Sequence, residues 1–203
     1  MILLIIGVVG KIASGKSTIC RYLKALIEDT EIIDVDSIAK AIYSDEPAVV
    51  EDLKKCFGDS ICFPEGNVNY NNLALKVFSS RKDLEKINNI MFPKIENRVK
   101  KILEEKNNIN CSVIDAAVLF DAKLYKLCDH VIWVKSARNR RFKRLLSLCE
   151  LGDKEIKTRL DGQVINIKEK LVDFIIENNG TLQDLEDSVN KITDKIRSLG
   201  SIK

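Results

Sequence analysis

Residues 7–18 read GVVGKIASGKST and directly follow the apolar run ILLII at residues 2–6. Four residues of this stretch satisfy the pattern GxxxxGK[ST]: Gly10, Gly15, Lys16 and Ser17. The pattern places a glycine-containing loop between a buried strand and a helix, so that backbone N–H groups can surround a phosphate. The stretch therefore predicts a nucleotide-binding phosphate loop and, with it, a parallel α/β sheet.

The loop and the first helical turn supply the predicted contacts to the nucleotide. These residues are Gly10, Lys11, Ile12, Ala13, Ser14, Gly15, Lys16, Ser17 and Thr18. Lys16 would place its charge between the β- and γ-phosphate oxygens, and Ser17 would bind Mg²⁺. The motif thus predicts a nucleoside triphosphate and Mg²⁺ as cofactors.

Composition limits the classes of partner. The 203 residues carry a formal charge of only +3, so no strong positive field for nucleic acid is expected. No apolar run reaches the ~20 residues that a membrane helix needs, and no basic segment precedes the apolar start. The six cysteines include no CxxC pair, as in intracellular proteins with buried thiols. We expect a cytoplasmic protein with a small-molecule partner, no nucleic acid and no membrane; the oligomeric state stays open.

The pattern of apolar runs predicts a single domain of the α/β class, with a doubly wound parallel five-stranded sheet flanked by helices. The five predicted strands are the runs at residues 2–8, 31–35, 111–120, 130–134 and 173–178. About 75 residues separate the second run from the third, far more than one crossover helix needs. We therefore expect an insertion at this point.

The inserted segment is mostly of helical period. Helices are predicted over residues 46–57 and 82–106, and Pro93 should kink or split the second of them. Residues 61–70, ICFPEGNVNY, predict a turn or short hairpin. The chain should end in an amphipathic helix over residues 181–199.

The sequence disfavours two classes of nucleotide enzyme. A GTPase would need DxxG after the third strand and NKxD for guanine, but DxxG is absent, and Asn190, Lys191 and Asp194 form NKxxD. A motor ATPase would be larger and would have an acidic pair where Asp115 is followed by alanines. A small-molecule kinase fits better.

Carboxylates at the ends of two strands are candidates for the chemistry. Asp34 and Asp36 end the second strand, where alternation would give both side chains the same direction, and one of them could accept a proton from an acceptor hydroxyl. The alternative is that the pair caps the following helix. Asp115, at the end of the third strand, could hold a magnesium-bound water or be purely structural.

Four arginines lie on one predicted helix after the fourth strand. Arg140 and Arg144 are one turn apart and away from the apolar stripe, which favours a function for them. Arg138 and Arg141 are expected on a solvated face.

Several segments in order resemble dephospho-CoA kinases. IIDVDSIAK at residues 32–40 resembles the DADxIAR segment of that family, and residues 73–95 resemble its helical segment that ends in Leu-His-Pro. DAAVLFD at residues 115–121 resembles PLLFE, and FIIENNG at residues 174–180 resembles VIDNNG. The resemblance covers the chain from the first strand to about residue 180. It implies a P-loop kinase-like fold and transfer of the ATP γ-phosphate to the ribose 3′-hydroxyl of dephospho-CoA.

The resemblance also implies roles for parts of the chain. Asp36 would be the catalytic base, Lys16, Arg140 and Arg144 would act on the transferred phosphate, and Asn178 would contact the nucleotide. The core would comprise residues 1–45, 109–135 and 164–203, with a helical CoA-binding insertion at about 46–108 and a helical lid at about 136–163. Another small-molecule P-loop kinase, or a degenerate non-catalytic adenine-nucleotide-binding protein, remains the alternative.

The sequence departs from the family pattern at six positions. Lys11 and Ala13 replace glycines, Phe92 a histidine, Ala117 a proline, Asp121 a glutamate and Leu148 a basic lid residue. At Lys11 and Ala13 we expect φ values that a Cβ atom allows, so that phosphate binding survives.

Overall fold

The computed structural model describes residues 4–105, 109–148 and 152–200. Contacts divide the chain into two compact units. The second unit comprises residues 35–102, and the first unit comprises the residues before and after them. The predicted strand start at residue 2, the predicted helix end at residue 106 and residues 149–151 of the predicted lid lie outside the described part. None of the helices within that part is long and apolar enough to cross a membrane.

The first unit is built on one parallel sheet. Its strands are β1 (Leu4–Gly10), β2 (Thr30–Asp34), β3 (Cys111–Asp115), β4 (His130–Lys135) and β5 (Phe174–Glu177). Their order is β2-β3-β1-β4-β5, and every neighbouring pair is parallel. The predicted doubly wound five-stranded sheet is therefore confirmed.

The third strand is shorter than predicted. It ends at Asp115, and the rest of the apolar run forms turns in which Leu119 and Phe120 are buried. A buried turn and a buried strand give the same apolar pattern, which explains why a strand over residues 111–120 was wrong in its second half.

Helices cover the sheet and form the second unit. They are α1 (Lys16–Leu26), α2 (Val35–Asp45), α3 (Pro47–Phe57), α4 (Tyr70–Val77), α5 (Arg81–Glu104), α6 (Arg138–Leu148), α7 (Asp153–Gly162) and α8 (Leu182–Ser198). A core cluster of the first unit joins the sheet to α1 and α8 through residues such as Ile6, Leu23 and Val189, all without exposed surface. Burial of such side chains contributes about 1.5–3 kcal/mol each. The apolar face of α1 thereby fixes the helix that begins at the phosphate loop.

The second unit, residues 35–102, contains α2 to α5 and a short hairpin. The hairpin predicted in residues 61–70 is confirmed by the antiparallel bridge between Cys62 and Val68. Helix α5 runs through Pro93 without interruption, so the predicted split is absent. Its buried residues Met91, Ile95 and Val99 recur every four positions and keep both halves on one apolar face. The insertion bounds at 46–108 and its acceptor-binding role stay predictions.

Helix α8 begins with a capping box that also shapes the turn after β5. The Asp184 N–H donates to Thr181 Oγ1 at 3.2 Å, and the Thr181 N–H donates to Asp184 Oδ2 at 2.8 Å. Thr181→Ala removes one of these two bonds and should lower the free energy of unfolding by about 1 kcal/mol. Urea unfolding followed by circular dichroism measures the change.

The matched control is Thr158→Ala within α7. Its hydroxyl donates to the Lys154 carbonyl at 2.9 Å but caps nothing, so this substitution should change stability by less than about 0.5 kcal/mol. Equal losses in the two variants would contradict a capping role for Thr181.

Candidate active site

The phosphate loop connects Gly10, the last residue of β1, to Gly15, the residue before α1. Gly15 has φ of 99°, a left-handed conformation that glycine adopts without a steric penalty. Ala13 is also left-handed, with φ of 57°. The expectation that Ala13 would have a φ suited to a Cβ atom is therefore wrong. The tight turn requires the left-handed conformation, which costs an alanine about 1–2 kcal/mol.

The start of the loop requires glycine because two strands approach closely. Gly10 pairs with Val134 of β4, and a Cβ atom at Gly10 would lie 2.6 Å from the Val134 carbonyl oxygen. It would also lie 2.7 Å from Ser14 Oγ. Glycine thus allows the loop to turn back over the sheet directly after β1.

Lys16, Ser17 and Asp115 converge at the carboxyl edge of the sheet. Ser17 Oγ donates to Asp115 Oδ2 at 2.6 Å, and Lys16 Nζ lies 3.9 Å from Asp115 Oδ1. The sheet topology explains why these three residues meet, because β3 pairs with β1 and ends beside the first turn of α1. A hydroxyl and a carboxylate oxygen are hard ligands of the kind that Mg²⁺ prefers.

The two candidate bases differ in position more than predicted. Asp34 is the last residue of β2 and pairs in register with Asp115. Asp36 lies in the first turn of α2, in the second unit, and is exposed. The strand ends before Asp36, so strand alternation does not relate the two side chains, and the predicted common direction is wrong.

Arg144 donates hydrogen bonds to the phosphate loop. Its Nη1 reaches the carbonyl oxygens of Ala13 at 3.1 Å and Ser14 at 3.2 Å, and Ser136 Oγ at 3.2 Å. Its Nη2 reaches the Asn178 backbone oxygen at 3.1 Å and Oδ1 at 2.9 Å. Burial, and secondarily the charge of Arg140, lowers the pKa of this guanidinium, which remains a cation at neutral pH. In this conformation Arg144 therefore acts on the shape of the loop.

Asn178 completes the support of the loop, and a pocket opens next to it. Its Nδ2 donates to the Ser14 carbonyl oxygen at 2.8 Å and lies where a Cβ atom on Gly15 would be.

The pocket next to Asn178 has a volume of about 300 Å³, and its described lining includes the cationic side chains of Arg140, Lys143 and Arg144. The structure thus brings together the loop, Asp115, Arg140, Arg144 and Asn178, all predicted site residues within the first unit.

The two remaining arginines of α6 have different environments. Arg138 is exposed and forms a two-bond ion pair with Asp161, at 2.9 and 2.8 Å. Arg141, in contrast, is only 5 % exposed, so the expectation of a solvated face is wrong for it. The helical spacing correctly placed Arg141 on a different face of α6 from Arg140 and Arg144. It did not show that α7 and the segment after it cover the face of Arg141. Leu148, at the predicted basic lid position, is largely exposed.

Two residues that support the phosphate loop and its partners were not predicted. The Gln163 side chain accepts a hydrogen bond from the Ile12 N–H, and Ser136 accepts one from Arg144. Gln163 comes from the segment after α7 and belongs to no local motif, so only the folded chain shows its role. Ser136 follows β4 directly, and its position at the carboxyl end of a strand was a usable signal.

Comparison with known proteins assigns the family. The family model described as Dephospho-CoA kinase matches residues 4–184. The chain belongs to the dephospho-CoA kinase family. The resemblance in the sequence is thereby confirmed.

Individual relatives agree with this assignment. A dephospho-CoA kinase from Fusobacterium nucleatum is 34 % identical over 97 % of this chain and 100 % of its own length. The solved dephospho-CoA kinase from Campylobacter jejuni has 25 % identity and a TM-score of 0.64, covering 96 % of this chain and 98 % of its own. TT1252 from Thermus thermophilus has a TM-score of 0.76 at 23 % identity, with 97 % of this chain and 99 % of its own covered, and supports the fold. The predicted P-loop kinase-like fold is confirmed.

The contacts of Arg144 lead to a kinetic prediction. Arg144→Ala removes every donor that it aims at the loop, so kcat should fall by roughly 10²-fold or more, the range known for single preorganised donors, and KM for ATP should rise. Arg144→Lys should recover only part, because one ammonium group cannot span the loop carbonyls and Asn178. Steady-state kinetics of ADP release measures both parameters.

Arg159→Ala provides the control, since Arg159 is an exposed arginine of α7 that pairs with Glu155. It should leave kcat and KM within about twofold of wild type. If Arg144→Ala also stayed within that range, Arg144 would have no role in supporting the loop or in catalysis.

Proposed function

We propose that this chain transfers the γ-phosphoryl group of ATP to the ribose 3′-hydroxyl of dephospho-CoA. The observation that carries the proposal is the convergence of Lys16 and Ser17 on Asp115 beside a formed phosphate loop, in a chain that matches the family over residues 4–184. The loop supplies the phosphate-binding geometry, and family membership supports the choice of acceptor.

Nucleotide binding begins at the backbone. N–H groups of the loop and of the first turn of α1 would surround the β-phosphate, while the carbonyl oxygens of Ala13 and Ser14 accept hydrogen bonds from Arg144 and Asn178. The Lys16 ammonium would lie between the β and γ oxygens, where negative charge redistributes in the transition state. The pocket beside Arg140 and Asn178 supports binding of the rest of the nucleotide.

The residues present fit a magnesium ion bound together with the nucleotide. Ser17 Oγ and Asp115 Oδ2 already lie within hydrogen-bonding distance of each other, and both are oxygen ligands. Magnesium with a nucleotide needs only one or two protein ligands, since phosphate oxygens and water complete its shell. When bound, the ion supplies charge neutralisation between the β- and γ-phosphates. We assign Ser17 as a direct ligand and Asp115 as the acceptor for a magnesium-bound water.

Proton removal from the acceptor is assigned to Asp36. An alcohol attacks phosphorus efficiently when a carboxylate accepts its proton, and Asp36 is an exposed carboxylate two residues after β2. The helical unit that begins at Val35 would contact the CoA moiety, and α6 with α7 would form the lid within residues 136–163. In the closed lid, Arg140 and Arg144 would stabilise the charge on the transferred phosphoryl group.

A reducing compartment suits the cysteines of this chain. The described cysteines Cys20, Cys56, Cys62, Cys111 and Cys128 are free thiols. Burial raises the pKa of Cys111 and of Cys128 to about 12, so both stay protonated and unreactive at neutral pH. These thiols support the assignment of a cytoplasmic location.

The acceptor is tested by supplying several alcohols in parallel. Purified protein with ATP and magnesium should release ADP with dephospho-CoA and not with adenosine, pantothenate or shikimate. Absence of turnover with all four acceptors, in a protein that still binds ATP, would instead favour the non-catalytic nucleotide-binding alternative.

The Lys16 side chain should matter for the chemical step. Lys16→Ala should lower kcat by roughly 10²-fold or more, because it removes a preorganised charge from the developing oxyanions. Lys24→Ala is the matched control, an exposed lysine on the same helix whose loss should leave kcat unchanged. A folded Lys16→Ala enzyme with near wild-type kcat would rule out the phosphate-loop assignment.

The two candidate bases, Asp34 and Asp36, give a paired prediction. Asp36→Asn is nearly isosteric, so the protein should fold while kcat falls roughly 10²- to 10⁴-fold. Asp34→Asn, beside Asp115 in the sheet, should have a smaller effect on kcat. The opposite ranking in single-turnover measurements would identify Asp34 as the base.

A further inference from the structure

A second pocket lies against α6, and the mechanism above does not use it. Its volume is about 520 Å³, and it is lined by residues of the phosphate loop, of β4, of α6 and of the segment after α7. Three cationic side chains line it: Lys11, Lys135 and Arg141. Arg141 belongs to this pocket, whereas Arg140 and Arg144 line the pocket beside Asn178.

Arg141 is buried with unused hydrogen-bond donors. The residue is 5 % exposed, and its Nε and Nη1 have no hydrogen-bond partner among residues 4–105, 109–148 and 152–200. A guanidinium remains charged in proteins, and a buried charge is costly unless it is paired and hydrogen-bonded. Arg141 therefore has the properties of a residue whose partner is a ligand.

The surroundings of Arg141 give the pocket a positive character. None of the lining residues within the described part of the chain is acidic. Asp161 is close enough to act electrostatically on Arg141, but both of its carboxylate oxygens are bonded to Arg138. The charge of Lys11 and Lys135 adds to that of Arg141, so an anion would be attracted from the solvent.

The pocket also has an apolar wall. Trp133, Ile165 and Ile167 line it beside the cationic residues. Lys135 Nζ lies 4.0 Å from the centre of the Trp133 ring, a cation–π contact that holds the ammonium at the pocket. A ligand with a phosphate group and a small organic body would find a complementary surface for both parts.

We propose that this pocket binds the phosphate group of a small molecule, at a site that lies next to the phosphate loop and is separate from the Asn178 pocket. The planar guanidinium of Arg141 would donate Nε and Nη1 to two phosphate oxygens, the bidentate geometry that arginine forms with phosphates. Lys11 and Lys135 would neutralise the remaining charge. The ligand is either inorganic phosphate or an organic phosphomonoester, and the two differ in their use of the apolar wall.

An occupant of this site would lie next to the catalytic loop. Lys11 is part of both the loop and the pocket, and the neighbouring Ile12 N–H is bonded to Gln163, two residues before the pocket wall at Ile165. Ligand binding is therefore expected to change KM for ATP moderately. The proposal does not depend on the acceptor of the kinase, because it concerns binding alone.

Trp133 makes a direct test possible, since it is the only tryptophan of the chain and lines the pocket. The full chain is saturated with ADP and Mg²⁺, which occupy the phosphate loop, and titrated with inorganic phosphate or with phenyl phosphate. We expect a saturable change in tryptophan fluorescence. Tighter binding of phenyl phosphate identifies an organic phosphomonoester, and equal binding identifies the free anion.

Variants assign the signal to the pocket. Arg141→Met should weaken binding at least tenfold, while its Tm equals or exceeds that of wild type, because an apolar side chain of similar length replaces a buried unpaired charge. Lys135→Gln should weaken binding several-fold and carries the test if Arg141→Met does not fold. Arg159→Gln, with the same loss of charge on α7, should bind as wild type does.

Three results would overturn the proposal. The first is the absence of a saturable change with either probe. The second is equal affinity in wild type, Arg141→Met and Lys135→Gln. The third is binding that occurs without ADP and is lost when ADP is present, which would place the anion in the phosphate loop. Failure of the kinase assay with dephospho-CoA would leave this fluorescence result unaffected, so the two proposals can be judged separately.

Discussion

The conformation of the phosphate loop depends on side chains that donate hydrogen bonds to the loop's own carbonyl oxygens. A loop that binds phosphate must direct its N–H groups toward the ligand, and its carbonyl groups then need other partners. Arg144 and Asn178 meet this need at Ala13 and Ser14. A hydrogen bond from a charged donor contributes about 1.5–3 kcal/mol, enough to offset the left-handed strain at Ala13. The same bonds that shape the loop therefore allow an alanine where glycine would be unstrained.

The sheet topology explains why these partners meet. Strand β1 lies in the centre, between β3 and β4, so that the chain crosses over in opposite directions on its two sides. A crevice forms at the carboxyl ends of strands at such a point. Asp115 ends β3, while Ser136 and Asn178 directly follow β4 and β5. These three side chains thus come from the last residue of a strand or the first residue after one, whereas Arg144 reaches the loop from α6.

The sequence predicted the parts of the site that rest on local pattern. The phosphate loop, the strand-end carboxylate Asp115 and the position of Arg144 one turn from Arg140 are readable from spacing alone, because loop, strand and helix geometry fix them. The role of Gln163 and the burial of Arg141 were not readable, since both arise from packing of segments distant in sequence. The position of Asp36 was misjudged because a helix begins at Val35, and no local signal separated the last strand residue from the first helical one.

The contacts of the loop have a consequence for how the protein is made. Gln163 lies 151 positions after Ile12, and Asn178 lies 164 positions after Ser14, in a chain of 203 residues. Contacts of such separation close large loops of chain, so they form late and slowly relative to local helices. A nascent chain that has emerged only as far as α5 carries the whole nucleotide motif without the side chains that shape it. We therefore expect ATP affinity to arise only after β5 has been synthesised and has joined the sheet.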